Sequence, residues 1–168
     1  MLIDKKYILR FKGIQTPFYF YNIELLKETL QEIKREISFH KNYLVHYAIK
    51  ANANPKLLQL IAQAGFGADC VSGGEIQRAL KTGFSPSKIV FAGVGKSNWE
   101  INLGLDNDIF CFNVESEPEL EVINELAKAK GKIASVAFRI NPNIGAHTHA
   151  NITTGLAENK FGIAMDDI

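Results

Sequence analysis

The stretch Ala68-Asp69-Cys70-Val71-Ser72-Gly73-Gly74-Glu75 decides the architecture. Its first half, residues 68–71, is a short strand-like run. Its second half has the S-x-x-E spacing of a capping box, in which a serine and a glutamate satisfy the free N–H groups at the start of a helix. The predicted helix passes through Ala79 and Leu80 and stops near Gly83. The same unit then recurs. Residues 89–92 read as a strand and lead to the box Ser97-Asn98-Trp99-Glu100. Residues 109–113 read as another and lead to Ser116-Glu117-Pro118-Glu119, whose helix carries Leu120, Ile123 and Leu126 on one face and ends at Gly131. A further strand covers 133–140. From Asn141 the chain becomes a Pro-, Gly-, Asn- and Thr-rich loop.

Upstream, Ile23, Leu26, Leu30, Ile33 and Ile37 recur at gaps of three and four, which predicts an amphipathic helix capped by Asn22. Residues 43–50 form a β-type run with aromatic and branched side chains. A short loop, 51–54, leads to Pro55 in the first turn of a helix with Leu57, Leu58 and Ile61 on its apolar face, and Gly65 ends it with positive φ. Strand and helix therefore alternate at least four times through short connections. The strands read as apolar on both faces, as a parallel sheet covered by helices requires. An open doubly wound sheet and a (β/α)-barrel both fit, and periodicity alone does not choose between them. A complete barrel takes on the order of 250 residues, so a barrel of this kind would be present only in its first part, and residues 161–168 read as a chain cut in mid-element.

Composition narrows the function classes. Hydrophobic residues make up 46% of the chain, enough for one core of ordinary size. Charged residues make up 22%, the formal net charge is +1, and no long run of one sign occurs, which speaks against a nucleic-acid-binding face or a membrane-surface helix. A small, nearly neutral or zwitterionic substrate suits this balance. Cys70 and Cys111 lack C-x-x-C spacing and read as buried reduced thiols, with a single disulfide between them as the alternative. The N-terminus lacks the order of a signal peptide, and no apolar run reaches the length of a membrane span. The expectation is a soluble cytoplasmic protein.

Lys50 leads the candidates for chemistry. A lysine closing an apolar strand at its carboxyl end is unusual, because buried lysines are rare unless paired or functional. In a barrel that end belongs to the active-site face. Partial desolvation would favour the neutral amine, which can attack a carbonyl carbon. Asp69, one strand later, could pair with a cation or orient a ring. The helix start at Ser72-Gly73-Gly74-Glu75 could hold an anion, although simple capping accounts for its spacing. Gly93-Val94-Gly95-Lys96 resembles a phosphate loop at first sight but lacks the full G-x-x-x-x-G-K-[ST] spacing. His147 and His149 have no carboxylate or cysteine cluster beside them, so no metal site is expected and a polar surface loop is the better reading. Arg139, in the last strand, parallels Lys50 in position and would point to the same site or form a structural ion pair.

In their order along the chain, these stretches resemble the diaminopimelate decarboxylase family. Tyr47-Ala48-Ile49-Lys50-Ala51-Asn52 is similar to its cofactor-lysine motif, and Gly67-Ala68-Asp69-Cys70-Val71-Ser72-Gly73-Gly74-Glu75 to its second motif. Phe84-Ser85-Pro86-Ser87-Lys88-Ile89-Val90-Phe91-Ala92-Gly93 with Gly95-Lys96-Ser97, then Asn113-Val114-Glu115-Ser116 and Arg139-Ile140-Asn141-Pro142, continue the match. Thr153-Thr154-Gly155-Leu156 with Glu158-Asn159-Lys160-Phe161-Gly162-Ile163 is the most specific for the family.

The resemblance implies an alanine-racemase-like (β/α)-barrel. Residues 1–15 would belong to a β-domain completed by later sequence, and residues 16–168 to a partial barrel binding pyridoxal 5'-phosphate. It implies that Lys50 holds the cofactor, that Asp69 sits beside it, and that Glu75 and Arg139 lie near it. The implied reaction is decarboxylation of meso-2,6-diaminopimelate to L-lysine and CO2 by a homodimer, the last step of bacterial lysine synthesis. The ring-stacking histidine, glycine-rich phosphate loop, Glu-Pro-Gly-Arg segment and catalytic cysteine of such enzymes come later in the chain, so the 168 residues alone are expected not to turn over substrate. Related decarboxylases of carboxynorspermidine, arginine or ornithine, a non-catalytic cofactor-binding protein, and a gene remnant are the alternatives.

Overall fold

The computed structural model describes residues 5–40, 42–141 and 161–165. The elements run α1 (Lys5–Phe11), α2 (Ile23–Ser38), β1 (His46–Ala48), α3 (Pro55–Gln63), β2 (Gly67–Cys70), α4 (Gly73–Thr82), β3 (Ile89–Phe91), α5 (Asn98–Asp106), β4 (Cys111–Val114), α6 (Glu117–Ala129), β5 (Val136–Phe138), β6 (Ile140–Asn141) and β7 (Ile163–Ala164). Strands β1 to β5 form one parallel sheet in chain order. Helices α3, α4, α5 and α6 pack each against the next. A doubly wound sheet reverses its strand order at a switch point and carries helices on both faces. A sheet in strict chain order behind one row of helices is a barrel wall, which resolves the two architectures the sequence left open.

Local chemistry explains where the helices begin and end. The Asn22 side chain accepts from the Leu25 N–H at 3.1 Å and opens α2. Ser72 Oγ accepts from Glu75 N at 3.3 Å, and Ser116 Oγ from Glu119 N at 3.4 Å. The partner glutamates do not all close the same box. Glu100 Oε2 accepts from the backbone and hydroxyl of Ser97, whereas Glu75 and Glu119 reach one residue further back, to the N–H groups of Val71 and Glu115. Gly83 ends α4 at φ 95°, a left-handed conformation that glycine adopts without steric cost.

The two sheet faces differ. Ala68, Cys70, Ile89, Phe91, Phe112 and Val114 face the helices and form the core with Ile49, Leu58, Ile76, Ile101 and Ile123. The register places His46, Ala48, Gly67, Asp69, Val90, Cys111, Asn113 and Ala137 on the opposite face. The expectation of strands apolar on both faces is thus corrected: the inner face mixes small residues with polar ones. Cys70 and Cys111 are one residue out of phase, lie on opposite faces and are both free, which removes the disulfide alternative.

Two strands are shorter than their sequence runs. β1 stops at Ala48, and residues Ile49–Ala51 turn as a 3-10 helix closed by Asn52 N–H to Ile49 O at 3.1 Å. Ile49 swings into the core, so Lys50 stands on a turn beyond the strand. The run 133–140 breaks at Arg139. Its N–H bonds Val114 O, while its carbonyl accepts from Ile163 N at 2.7 Å, and β6 then pairs in parallel with β7. Gly162 permits this approach: its φ is 88°, and a Cβ there would lie 2.6 Å from Arg139 O.

Candidate active site

A cavity of about 1050 Å³ opens at the carboxyl ends of the strands. Each of the five strands or the turn after it supplies a polar group or a close backbone approach: His46 from β1 and Lys50 after it, Asp69 from β2, Gly93 after β3, Asn113 from β4 and Arg139 after β5. Lys50 is exposed at the mouth rather than desolvated, and its amine makes no hydrogen bond or ion pair among the described residues. Asp69 lies on the inner face with Oδ1 buried and without a hydrogen-bond partner. Arg139 donates through Nη1 to Glu115 Oε1 at 2.9 Å, and its guanidinium lies 5.2 Å from the Phe161 ring centroid. Both readings of Arg139 therefore hold at once: it lines the cavity and it forms an ion pair.

Glu75 is placed differently. It does not line the cavity; its Oε2 accepts the Val71 N–H at 2.7 Å and braces the turn into α4. The helix start beside it is also occupied. Gly73 N–H is donated to Glu100 Oε1 at 2.7 Å and Glu75 N–H to Ser72 Oγ, so capping and cross-bracing use two of the donors that an anion would need. Burial pulls the Glu100 carboxyl upward, but the N–H groups of Gly73 and Ser97, the Ser97 hydroxyl and the Lys96 charge outweigh it and hold the group below its ordinary value.

Lys96, the lysine of the phosphate-loop lookalike, is consumed internally. Its ammonium donates to Gly93 O at 2.8 Å, Asn113 O at 2.8 Å and Glu119 Oε1 at 2.6 Å, with 1% of its side chain exposed. All three protons are spent, so no phosphate can be held there by charge-assisted bonds. The pair instead ties the β3–α5 loop to α6. Glu115 adds a second tie by accepting from Gly93 N at 3.3 Å as well as from Arg139. The rim is thus stitched from β2 round to β5, leaving Lys50 as the uncommitted amine among the lysines that line the cavity.

His46 and Asn113 line the cavity without having been singled out in the sequence. The available signal was alternation, since His46 and Ala48 share a face and precede Lys50 at steps of two. Burial lowers the proton affinity of His46, the Asp69 charge raises it and Lys88 lowers it again, with a net downward shift. His147 and His149 and the segment 153–160 lie outside the described residues. Among the described residues, no group of three or more His, Cys, Asp or Glu could hold a metal, and no helix is long and apolar enough to cross a membrane.

Parallel strands in chain order, one helix layer, and a free lysine at the carboxyl mouth define a (β/α)-barrel domain of the kind that carries small-molecule chemistry on that face. Comparison with known proteins gives the family. Residues 24–168 match the model for the pyridoxal-binding domain of pyridoxal-dependent decarboxylases, and this chain belongs to that family. It is 67% identical over 159 residues to the diaminopimelate decarboxylase of Bacteroides thetaiotaomicron, covering 95% of this chain and 41% of that one. A Helicobacter pylori diaminopimelate decarboxylase is 50% identical over 153 residues, covering 91% of this chain and 38% of the relative. The crystal structure of an H. pylori diaminopimelate decarboxylase complexed with L-lysine superimposes with a TM-score of 0.87 at 47% identity, over 94% of this chain and 40% of that one. The M. jannaschii enzyme in co-complex with L-lysine gives 0.82 at 42% identity, over 95% and 38%. The chain therefore spans about two fifths of the length of these relatives. The Paramecium bursaria Chlorella virus arginine decarboxylase, at 23% identity and a TM-score of 0.65, shares the fold.

Proposed function

We propose that this chain is the cofactor-binding part of a pyridoxal-phosphate enzyme that decarboxylates meso-2,6-diaminopimelate to L-lysine and CO2. The 67% identity to a diaminopimelate decarboxylase carries the substrate assignment. The residues present fit the cofactor: Lys50 is a free amine at the mouth, and Asp69 lines the same cavity with one carboxylate oxygen buried and unpartnered among the described residues. Bound pyridoxal phosphate supplies the sink for the electrons left when CO2 departs. Lys50 would hold the cofactor through its amine. Asp69 sets the charge beside Lys50. Arg139, held by Glu115 and Phe161, lines the same cavity. Glu75 acts only through the turn it braces.

Residues 5–21 contribute nothing to the barrel core; Tyr7, Phe11, Phe18 and Phe20 cluster among themselves. That supports an N-terminal unit separate from the barrel core; the division into 1–15 and 16–168 rests on the family resemblance, since Phe18 and Phe20 pack on Tyr7 and Phe11 across it. The working form is a cytoplasmic homodimer, and the 168 residues alone release no lysine from diaminopimelate.

The decisive experiment mixes the purified chain with pyridoxal phosphate, reduces with borohydride and maps the modified lysine by mass spectrometry. Selective labelling of Lys50, lost in Lys50→Ala, is expected; labelling scattered over the surface lysines would sink the site assignment. A chimera that continues with the Bacteroides relative's remaining sequence tests the substrate. Release of lysine from diaminopimelate is expected, and turnover of arginine, ornithine or carboxynorspermidine in its place would select the alternative decarboxylases.

A further inference from the structure

On the inner face two polar atoms are buried without a partner, His46 Nε2 and Asp69 Oδ1. Ala48 pairs with Asp69 and His46 with Gly67, so the imidazole is the diagonal neighbour of the carboxylate, one pair deeper in the wall. Its seat is built. A Cβ at Gly67 would fall 2.2 Å from His46 Cδ2 and 2.7 Å from Nε2, so the ring occupies the space that glycine leaves. Phe110 flanks it, with centroids 6.0 Å apart and planes inclined by 26°. Among the described residues, the charged groups acting on the ring are Asp69, from β2, and Lys88, from the turn before β3. The Lys88 ammonium is held on Gly65 O at 2.7 Å. Two buried polar groups on one sheet face, diagonal in register and without protein partners among the described residues, are the setting in which proteins retain an ordered water.

We propose that His46 is the positioning residue of Asp69: His46 Nε2 and Asp69 Oδ1 share one bridging water, which holds the carboxylate turned into the cavity beneath Lys50. His46 acts through Asp69 and touches neither cofactor nor substrate. Neutral imidazole leaves the Asp69 charge directed at the cavity. Imidazolium draws that charge toward the wall and away from Lys50. The functional consequence rests on Lys50 being the cofactor lysine; the pair itself is a property of the unloaded chain.

The imidazole titration of the 168-residue chain, followed by NMR, reads the pair directly. Replacing the carboxylate in Asp69→Asn removes the charge that favours the imidazolium, so the His46 midpoint is expected to move to lower pH. An unchanged midpoint in a variant whose amide spectrum shows it folded overturns the pairing. The pH profile of borohydride trapping at Lys50 is the second readout, in wild type and His46→Gln. Wild type is expected to show an inflection at the His46 midpoint that His46→Gln abolishes, whereas the same inflection in both chains overturns the positioning role. If wild type is not labelled at Lys50 at all, the cofactor reading fails, and the imidazole titration still decides the pair.

Discussion

At the scale of single residues, burial and hydrogen bonding decide which groups are reactive. Lys50 was legible because a lysine interrupts an apolar run, but its isolation was not. That depends on Lys96 having been consumed by partners up to 23 residues away. His46 went unread because alternation puts it on one face with Ala48 without saying which face meets the cavity; the register with Gly67 decides that. Burial raises the Cys70 thiol far above its ordinary range, helped by the charges of Glu75 and Asp69, and burial raises Cys111 against a hydrogen bond with Ser135. Neither thiol is expected to react with iodoacetamide near neutral pH in the folded chain, and both should react in urea, which peptide mass mapping checks. The lowered proton affinity of His46 has a defined sign. The unfolded imidazole takes its proton near 6.5, and the folded one only at lower pH, so the unfolded state binds more protons in between. Stability is therefore full above that value and is lost as pH falls through the folded midpoint. Glu100 behaves in the same sense below 4.5, where its folded-state hydrogen bonds are lost as it takes a proton. Urea midpoints measured from about pH 7 down to about pH 5 should fall for wild type and fall less for His46→Gln.

At the scale of elements, the helix ends were legible and the strand ends were not. Capping is an i to i+3 interaction, so Ser72, Ser97, Ser116 and Gly83 announce themselves within a few residues. The stop of β1 at Ala48 is set by where β2 ceases to pair, and the break at Arg139 by a carbonyl that turns to Ile163. Contacts between elements carry two predictions. In α5, a Cβ at Gly104 would meet Phe112 Cζ at 2.7 Å and Ile109 Cδ1 at 3.0 Å. Alanine there adds about 1 kcal/mol of helix propensity. Overpacking against a ring that is 2% exposed costs roughly 1–3 kcal/mol. Overpacking wins: Gly104→Ala is expected to lower the urea midpoint, and to lower it much less in a Phe112→Leu background. The Lys96–Glu119 pair is 1% and 9% exposed. Lys96→Met strands a buried carboxylate and should cost about 3–5 kcal/mol, while Lys96→Met with Glu119→Leu should recover much of it. A double-mutant cycle in urea separates the pair from its neighbours.

At the scale of the whole molecule, the described strands form an open wall. β1 and β5 each have one unpaired edge among the described residues, and Ile133 and Phe138 beside the β5 edge are 100% and 50% exposed. An open, apolar edge is a template for pairing with another chain. Sedimentation of the purified 168 residues is expected to show association that grows with concentration and weakens in Ile133→Lys with Phe138→Lys; a monomer at all concentrations would contradict it.

The sequence by itself determined the alternation of strands and helices, the starts and stops of the helices, and Lys50 and Asp69 as candidates for chemistry. Each of these is written in spacings of a few residues, in the periods of two and of about 3.6 that backbone geometry imposes. Only the tertiary structure decided between an open sheet and a barrel wall, because strand order is a matter of which distant segments pair. Only it turned His46 and Asn113 to the cavity and Glu75 away. Only it spent Lys96 on Glu119 and Arg139 on Glu115, since partners 23 and 24 residues apart meet only when successive β/α units stack.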